Sequence, residues 1–175
     1  MFVYLTIENF RSVKEKSTLN LSASGSSNHL TTHIYKNDGM NVGTLMSAGI
    51  YGANASGKSN VLMAFEAIKF IATESGDLKE GKRIPCYEPY ALSSATNEAP
   101  VKFEAEFYSV EGNRFSYEVA FIKNRILFES LDYYPSRLKQ IYLLEMRATP
   151  GKQSSLVGII KEVLKKYHSS LIIHT

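Results

Sequence analysis

The sequence of 175 residues holds a single cysteine, Cys86, so no disulfide can close within it, and a reducing, cytoplasmic setting is expected. Cys86 stands between Pro85 and Tyr87 with no base nearby in sequence, which suits an ordinary half-buried thiol. No run approaches the ~18 consecutive apolar residues of a membrane-spanning helix, so no membrane association is expected. Met1 leads directly into FVYLTIENF, without a basic n-region or a long apolar stretch, and no signal peptide is expected. Charge of one sign is also scarce. Twenty Lys and Arg against 17 Asp and Glu give a net charge of +3, too mild a surplus to argue for nucleic acid. His29, His33, His168 and His174 lack metal-ligand spacing with Cys or carboxylates. There is no internal repeat, and the one compositionally biased tract is the Ser-, Asn- and Gly-rich stretch 23–43. The hydrophobic fraction of 44% can supply a core for one domain or for part of a larger one.

What is present begins with YGANASGKSN, Tyr51 to Asn60, which contains the spacing G-x-x-x-x-G-K-S. The glycines let a backbone turn tightly and approach a phosphate with no side chain in the way. Successive N–H groups then face inward as an anion nest, and the helix that follows turns its positive dipole end to the same place. Lys58 is expected to meet the β- and γ-phosphates of a bound triphosphate, and the Ser59 hydroxyl to hold Mg²⁺. Such a loop follows a buried strand and opens a helix. LMSAGIYG, residues 45–52, reads as that central strand. Val61, Leu62, Phe65, Ile68 and Ile71 recur at helical spacing after it and predict the helix's apolar face.

Around this core, residues 2–9 predict a strand and VKEKSTLNLS its hairpin partner. Residues 23–43 predict mostly loop, with a short strand at HIYK, and 76–85 a charged, solvated connector. From Val101 the period becomes two. Val101, Phe103, Ala105 and Phe107 alternate with Lys102, Glu104, Glu106 and Tyr108. A turn at 111–113 leads to RFSYEVAFI, and ILFESLDYYP and LKQIYLLEM follow, which predicts an antiparallel meander over 101–146 with one face in water. Its aromatics, Phe103, Phe107, Phe115, Tyr117, Phe121 and Phe128, read as core. Leu156, Ile160, Val163, Leu164 and Tyr167 then predict a helix that Ser154 or Ser155 can cap, with LIIHT as a short last strand. The expected class is α/β, more closely an α+β lobe of P-loop NTPase type. A GTP or nucleoside kinase would instead continue with βαβ crossovers, against which the meander argues.

A strand, NFRS, a second strand, a P-loop with its helix and a meander, in that order, resembles the first lobe of ABC-type ATPase heads of SMC-like, RecF-like and OLD-like proteins. IENFRSVKEKSTLNLSAS, SAGIYGANASGKSNVLMAF, IPCYEPYAL and LDYYPSR look closer still to bacterial AAA-family ATP-binding proteins of the abortive-infection type. Those are ABC-fold ATPases associated with phage defence, including effectors of toxin–antitoxin, retron and Septu-like systems. The resemblance spans residues 1–147, taken as the ATPase lobe, and leaves 148–175 as a divergent or truncated end. It implies ATP and Mg²⁺ as cofactors, bound through Gly52, Ala53, Asn54, Ala55, Ser56, Gly57, Lys58, Ser59 and Asn60, with Ser59 on the metal. It also implies that Asn54 reaches the phosphate or a partner subunit. The Asn9–Phe10–Arg11–Ser12 turn would lie near nucleotide or DNA. Phe10 also reads as core packing. Arg11 reads either as a solvated loop side chain or as an anion contact. A homo-oligomer joined through the ATPase heads, and a toxin, nuclease or DNA partner, are further implications.

The heads of this group also need a Walker B strand ending in Asp-Glu, an LSGG-like signature and a switch His. LLEM (143–146) lacks the acidic pair, ILFESLD (126–132) spaces Glu129 and Asp132 apart within the meander, and SSLIIHT ends in His174–Thr175. No LSGG-like stretch occurs, and no catalytic residue can be assigned. Two readings stay open. One is an ATP-binding and, in an intact protein, ATP-hydrolysing head that dimerises with nucleotide. The other is a catalytically incomplete module that binds nucleotide or a full-length partner and regulates it.

Overall fold

In the computed structural model, the period-two segments pair as one antiparallel sheet of six strands. Residues 1–23, 31–36, 40–54, 56–75, 78–79, 81–109, 112–134 and 141–147 are described, the last of these as backbone. The strands are β1 (Phe2–Glu8), β2 (Ser17–Asn20), β5 (Val101–Tyr108), β6 (Arg114–Ile122), β7 (Arg125–Tyr134) and β8 (Ile141–Arg147), in spatial order β2-β1-β5-β6-β7-β8. A separate short ribbon joins β3 (Ile34–Tyr35), at the predicted HIYK, to β4 (Thr44–Leu45). The single described α-helix, α1 (Lys58–Glu74), crosses one face of the sheet.

The alternation read from sequence sets that face. Val101, Phe103, Ala105, Phe107, Phe115, Tyr117, Val119 and Phe121 are all buried beneath the helix. Ring pairs such as Phe103–Phe121 at 5.9 Å and Phe107–Phe115 at 5.5 Å stack across neighbouring strands. Phe128, expected in the core, is only half-buried. On the opposite face Lys102 is exposed, but Glu104 and Glu106 are half-buried because cations fold over them. Lys16 meets Glu104 at 2.7 Å, and Arg114 approaches Glu106 at 3.9 Å. Tyr108, expected on the wet side, is buried with Val3 and Met40 where the segment bearing β3 and β4 covers that end of the sheet.

Two further expectations are corrected. The helix buries Ala64, Ala67, Ile68, Ile71 and Ala72, while Leu62 is exposed and Phe65 half-buried, edge-on to Phe2 at 5.0 Å. Small residues carry the contact because they let the helix axis approach a sheet already filled by phenylalanines. The predicted central strand at 45–52 is not one: strand pairing stops at Leu45, and residues 46–52 are exposed. A central strand needs a neighbour on each side to satisfy its backbone, and none of the described strands lies beside it. The terminal helix and strand predicted within 148–175, and much of the 23–43 loop, fall outside the described residues.

One side chain fixes the end of β1. Asn9 is buried and left-handed, with φ 52°, a region asparagine tolerates better than most residues. Its amide Nδ2 donates to the carbonyls of Thr96 and Ala99 at 3.0 Å and of Pro100 at 3.2 Å. Its Oδ1 accepts from the Tyr90 N–H at 3.0 Å. Asn9→Ala should cost about 2–4 kcal/mol, because a buried side chain is lost and several part-buried main-chain groups lose a partner at once. Asn9→Asp should be no better, since a carboxylate cannot donate to those carbonyls. Urea denaturation checks this, and an Asn9→Ala midpoint equal to the parent's would contradict it.

Candidate functional site

The loop that the sequence singles out lies on the surface at the start of α1. Gly57 sits just before the helix with φ 92°, a conformation that costs a residue with a β-carbon, so the second glycine of the spacing is required by backbone shape. A β-carbon on Gly52 would fall 2.8 Å from Ser56 Oγ, so a larger residue there would have to turn that side chain aside. No side chain caps the helix, and its first turn carries no acidic residue. The Asn60 N–H turns back to the Gly57 carbonyl, and the other N–H groups of that turn can face an anion, with the helix dipole aligned behind them.

Lys58 Nζ donates to the main-chain carbonyls of Gly52 and Ala53, at 2.8 and 2.7 Å. The ammonium therefore bridges the loop on which the nest is built. An arriving phosphate oxygen would exchange these neutral acceptors for a charged one, which is the stronger partner. Ser56 N–H donates to the Ala53 carbonyl at 3.2 Å and closes the turn. Ser59 is exposed at the second helical position. Asn54 is exposed within the loop, and Ala55 lies outside the described residues. These groups fit a nucleoside triphosphate with its Mg²⁺: backbone N–H groups and Lys58 for the phosphates, the Ser59 hydroxyl for the metal. Among the described residues no cluster of three His, Cys, Asp or Glu could hold a metal by itself.

The NFRS turn reaches this loop. The side-chain amide of Asn60 donates to Ser12 Oγ, bringing the turn against the first turn of α1. The resemblance placed Ser12 in a turn near nucleotide or DNA without giving its side chain a role of its own. Asn9 and Phe10 are structural, Phe10 packing edge-on to Phe103 at 5.2 Å. Arg11, proposed from sequence as a nucleotide contact, has its guanidinium on the Glu88 carboxylate at 2.7 Å, and its N–H donates to the Glu88 carbonyl at 2.8 Å. It too has a left-handed backbone, with φ 52°. Both partners are half-exposed, so the pair itself adds little stability.

A groove of about 330 Å³ runs along α1 on the side of Met63, Ala67 and Phe70, closed by Phe10, Pro85 and Cys86. It shares Phe10 and Arg11 with the turn and includes none of residues 52–60; the phosphate loop is an open ledge, with residues 52–54, 56 and 59 exposed. Cys86 at the groove points its thiol at the Ala67 carbonyl, 3.9 Å away, and burial pushes its pKa up to about 12. Tyr117 is raised well above the usual phenol value by burial and by the Glu129 carboxylate, to which it donates at 2.6 Å. Neither group is poised for chemistry at neutral pH.

A left-handed glycine, a lysine across the loop and an uncapped helix start together define a P-loop anion site. The profile of the family described as "AAA domain, putative AbiEii toxin, Type IV TA system" matches residues 47–151, more than half of the chain. The chain belongs to this family of AAA-type, P-loop ATP-binding domains. No curated protein matches the sequence. Among the described residues no helix is long and apolar enough to cross a membrane.

The Cys86 shift has a consequence in alkali. An unfolded thiol loses its proton near 9.0, while the folded one keeps it to about 12. Its contribution is therefore whole below pH 9 and lost as pH rises toward 12. Melting temperatures measured across that range should fall less steeply for Cys86→Ala than for the parent. Identical slopes would contradict the buried, protonated thiol.

Proposed function

We propose that the chain is the nucleotide-binding lobe of an ATPase acting in phage defence or a DNA transaction, and that it binds ATP·Mg²⁺ through residues 52–60. The observation that carries this is Lys58 drawn across a loop whose helix start has no side-chain cap. Backbone N–H groups and Lys58 would hold the β- and γ-phosphates, and Ser59 would contribute a hydroxyl to Mg²⁺. The bound metal would neutralise phosphate charge as the γ-phosphoryl group is attacked. Arg11, beside the same loop through its neighbour Ser12, would be an anion contact only after leaving Glu88.

Hydrolysis needs a group to orient the attacking water and others to cap the γ-phosphate. The sequence has no Asp-Glu strand and no signature motif to supply them. We therefore assign those groups to a complementary element, in keeping with heads that join in pairs across nucleotide. The exposed apolar residues before the loop, Met46, Ile50 and Tyr51, support the reading that this edge is covered in the working assembly. A cytoplasmic location and a toxin, nuclease or DNA partner belong to the same proposal.

Calorimetric titration with ATP·Mg²⁺ tests the site. Lys58→Ala should weaken binding by about 2–3 kcal/mol, the loss of a charge-assisted contact. Equal affinity in parent and variant would refute the assignment.

Turnover tests the division of labour. The purified 175-residue chain should hydrolyse ATP only at background rate. Turnover at ~1 s⁻¹ or faster, the ordinary enzymatic range, would show that the chain carries its own water-orienting group.

A further inference from the structure

The turn that follows β1 is pinned more firmly than a strand end requires. Asn9 is held by four hydrogen bonds, Arg11 by its N–H and its ion pair with Glu88, and Phe10 and Val13 exchange two main-chain bonds at 2.8 Å. Two left-handed residues flank Phe10. Non-glycine residues adopt that conformation only where their surroundings fix it. The residue this pinned turn presents to the P-loop is Ser12.

Ser12 makes two contacts there. Its Oγ lies 2.9 Å from where a β-carbon on Gly57 would be, so the hydroxyl fills the space that the missing side chain leaves. The same oxygen accepts from the Asn60 side-chain amide, and the Asn60 main-chain N–H donates to the Gly57 carbonyl at 2.9 Å. Gly57 and Asn60 bracket Lys58 and Ser59, the two residues whose side chains the phosphates and metal would meet. The junction is thus held from outside by one hydroxyl carried on a rigid turn, while the loop itself is exposed and has no side-chain cap of its own.

We propose that Ser12 is a positioning residue of the nucleotide site, acting through Asn60 to fix the loop-to-helix junction in its phosphate-binding shape. The inference rests on the reading of residues 52–60 as an ATP site and adds to it a residue some forty positions upstream in the chain. A junction set before the ligand arrives binds more tightly, because less ordering has to accompany binding. Ser12 is exposed, so its removal leaves no buried polar group unpaired and should spare overall stability.

A double-mutant cycle read by ATP·Mg²⁺ calorimetry and thermal melting tests this. Ser12→Ala should weaken binding about five- to tenfold, the scale of one hydrogen bond, with little change in melting temperature. Asn60→Ala should weaken it similarly, and Ser12→Ala in the Asn60→Ala background should cost almost nothing more. Unchanged affinity in Ser12→Ala, or independent additive losses, would overturn the proposal. So would a loss of affinity matched by a large fall in melting temperature, which would make Ser12 a folding residue. A parent chain that binds no ATP at all would instead remove the nucleotide reading beneath it, and the two failures are distinguishable in one experiment.

Discussion

The side chain of Asn9 is the tie on which the arrangement at the site depends. It closes β1 in a left-handed turn and gathers the carbonyls of Thr96, Ala99 and Pro100 and the N–H of Tyr90 around one amide. A buried amide so fully used has no alternative partner, so the turn has one place to lie. Everything between that tie and the P-loop follows by short steps. The stretch after Tyr87 is drawn against β1, Glu88 comes into reach of Arg11, and Ser12 is delivered to Gly57 and Asn60. The sheet supplies rigidity, and the turn transmits it to an exposed loop.

That loop lies exposed at the start of α1. Its groups lie on a ledge, and the groove beside α1 opens on another side of the helix. The apolar residues ahead of it, with Tyr51 94% exposed and Met46 58%, are unlike the well-filled sheet face a short distance away. A half-site of this form makes sense of a family member whose sequence carries the phosphate loop without the acidic pair that would orient a water.

The meander was legible because a period of two is a local signal. Each strand's inward set, from Val101 to Phe121, follows directly from alternation. The P-loop was legible because two glycines, a lysine and a serine at fixed spacing answer to one geometry. What escaped was non-local. Apolar content before Gly52 predicts a strand, but a strand also needs neighbours, and composition cannot report them. Helical spacing marked Leu62 for the core, whereas the face that fits a sheet lined with phenylalanine is the one with Ala64, Ala67 and Ala72. Arg11 stayed open between a solvated side chain and an anion contact, because nothing local reveals that Glu88, far along the chain, is its partner. Ser12 was placed in a turn near nucleotide but given no role of its own, because its contact with Asn60 is one that only the folded chain brings about.

The account holds that a pinned turn and a P-loop form one preorganised phosphate site. Hydrogen exchange of backbone amides, measured with and without ATP·Mg²⁺, examines it directly. Nucleotide should slow exchange in residues 52–60 and in the turn at 9–12 together, while the strands of the meander remain unchanged. Protection confined to the groove lined by Met63, Phe70 and Cys86, or none anywhere, would contradict the account.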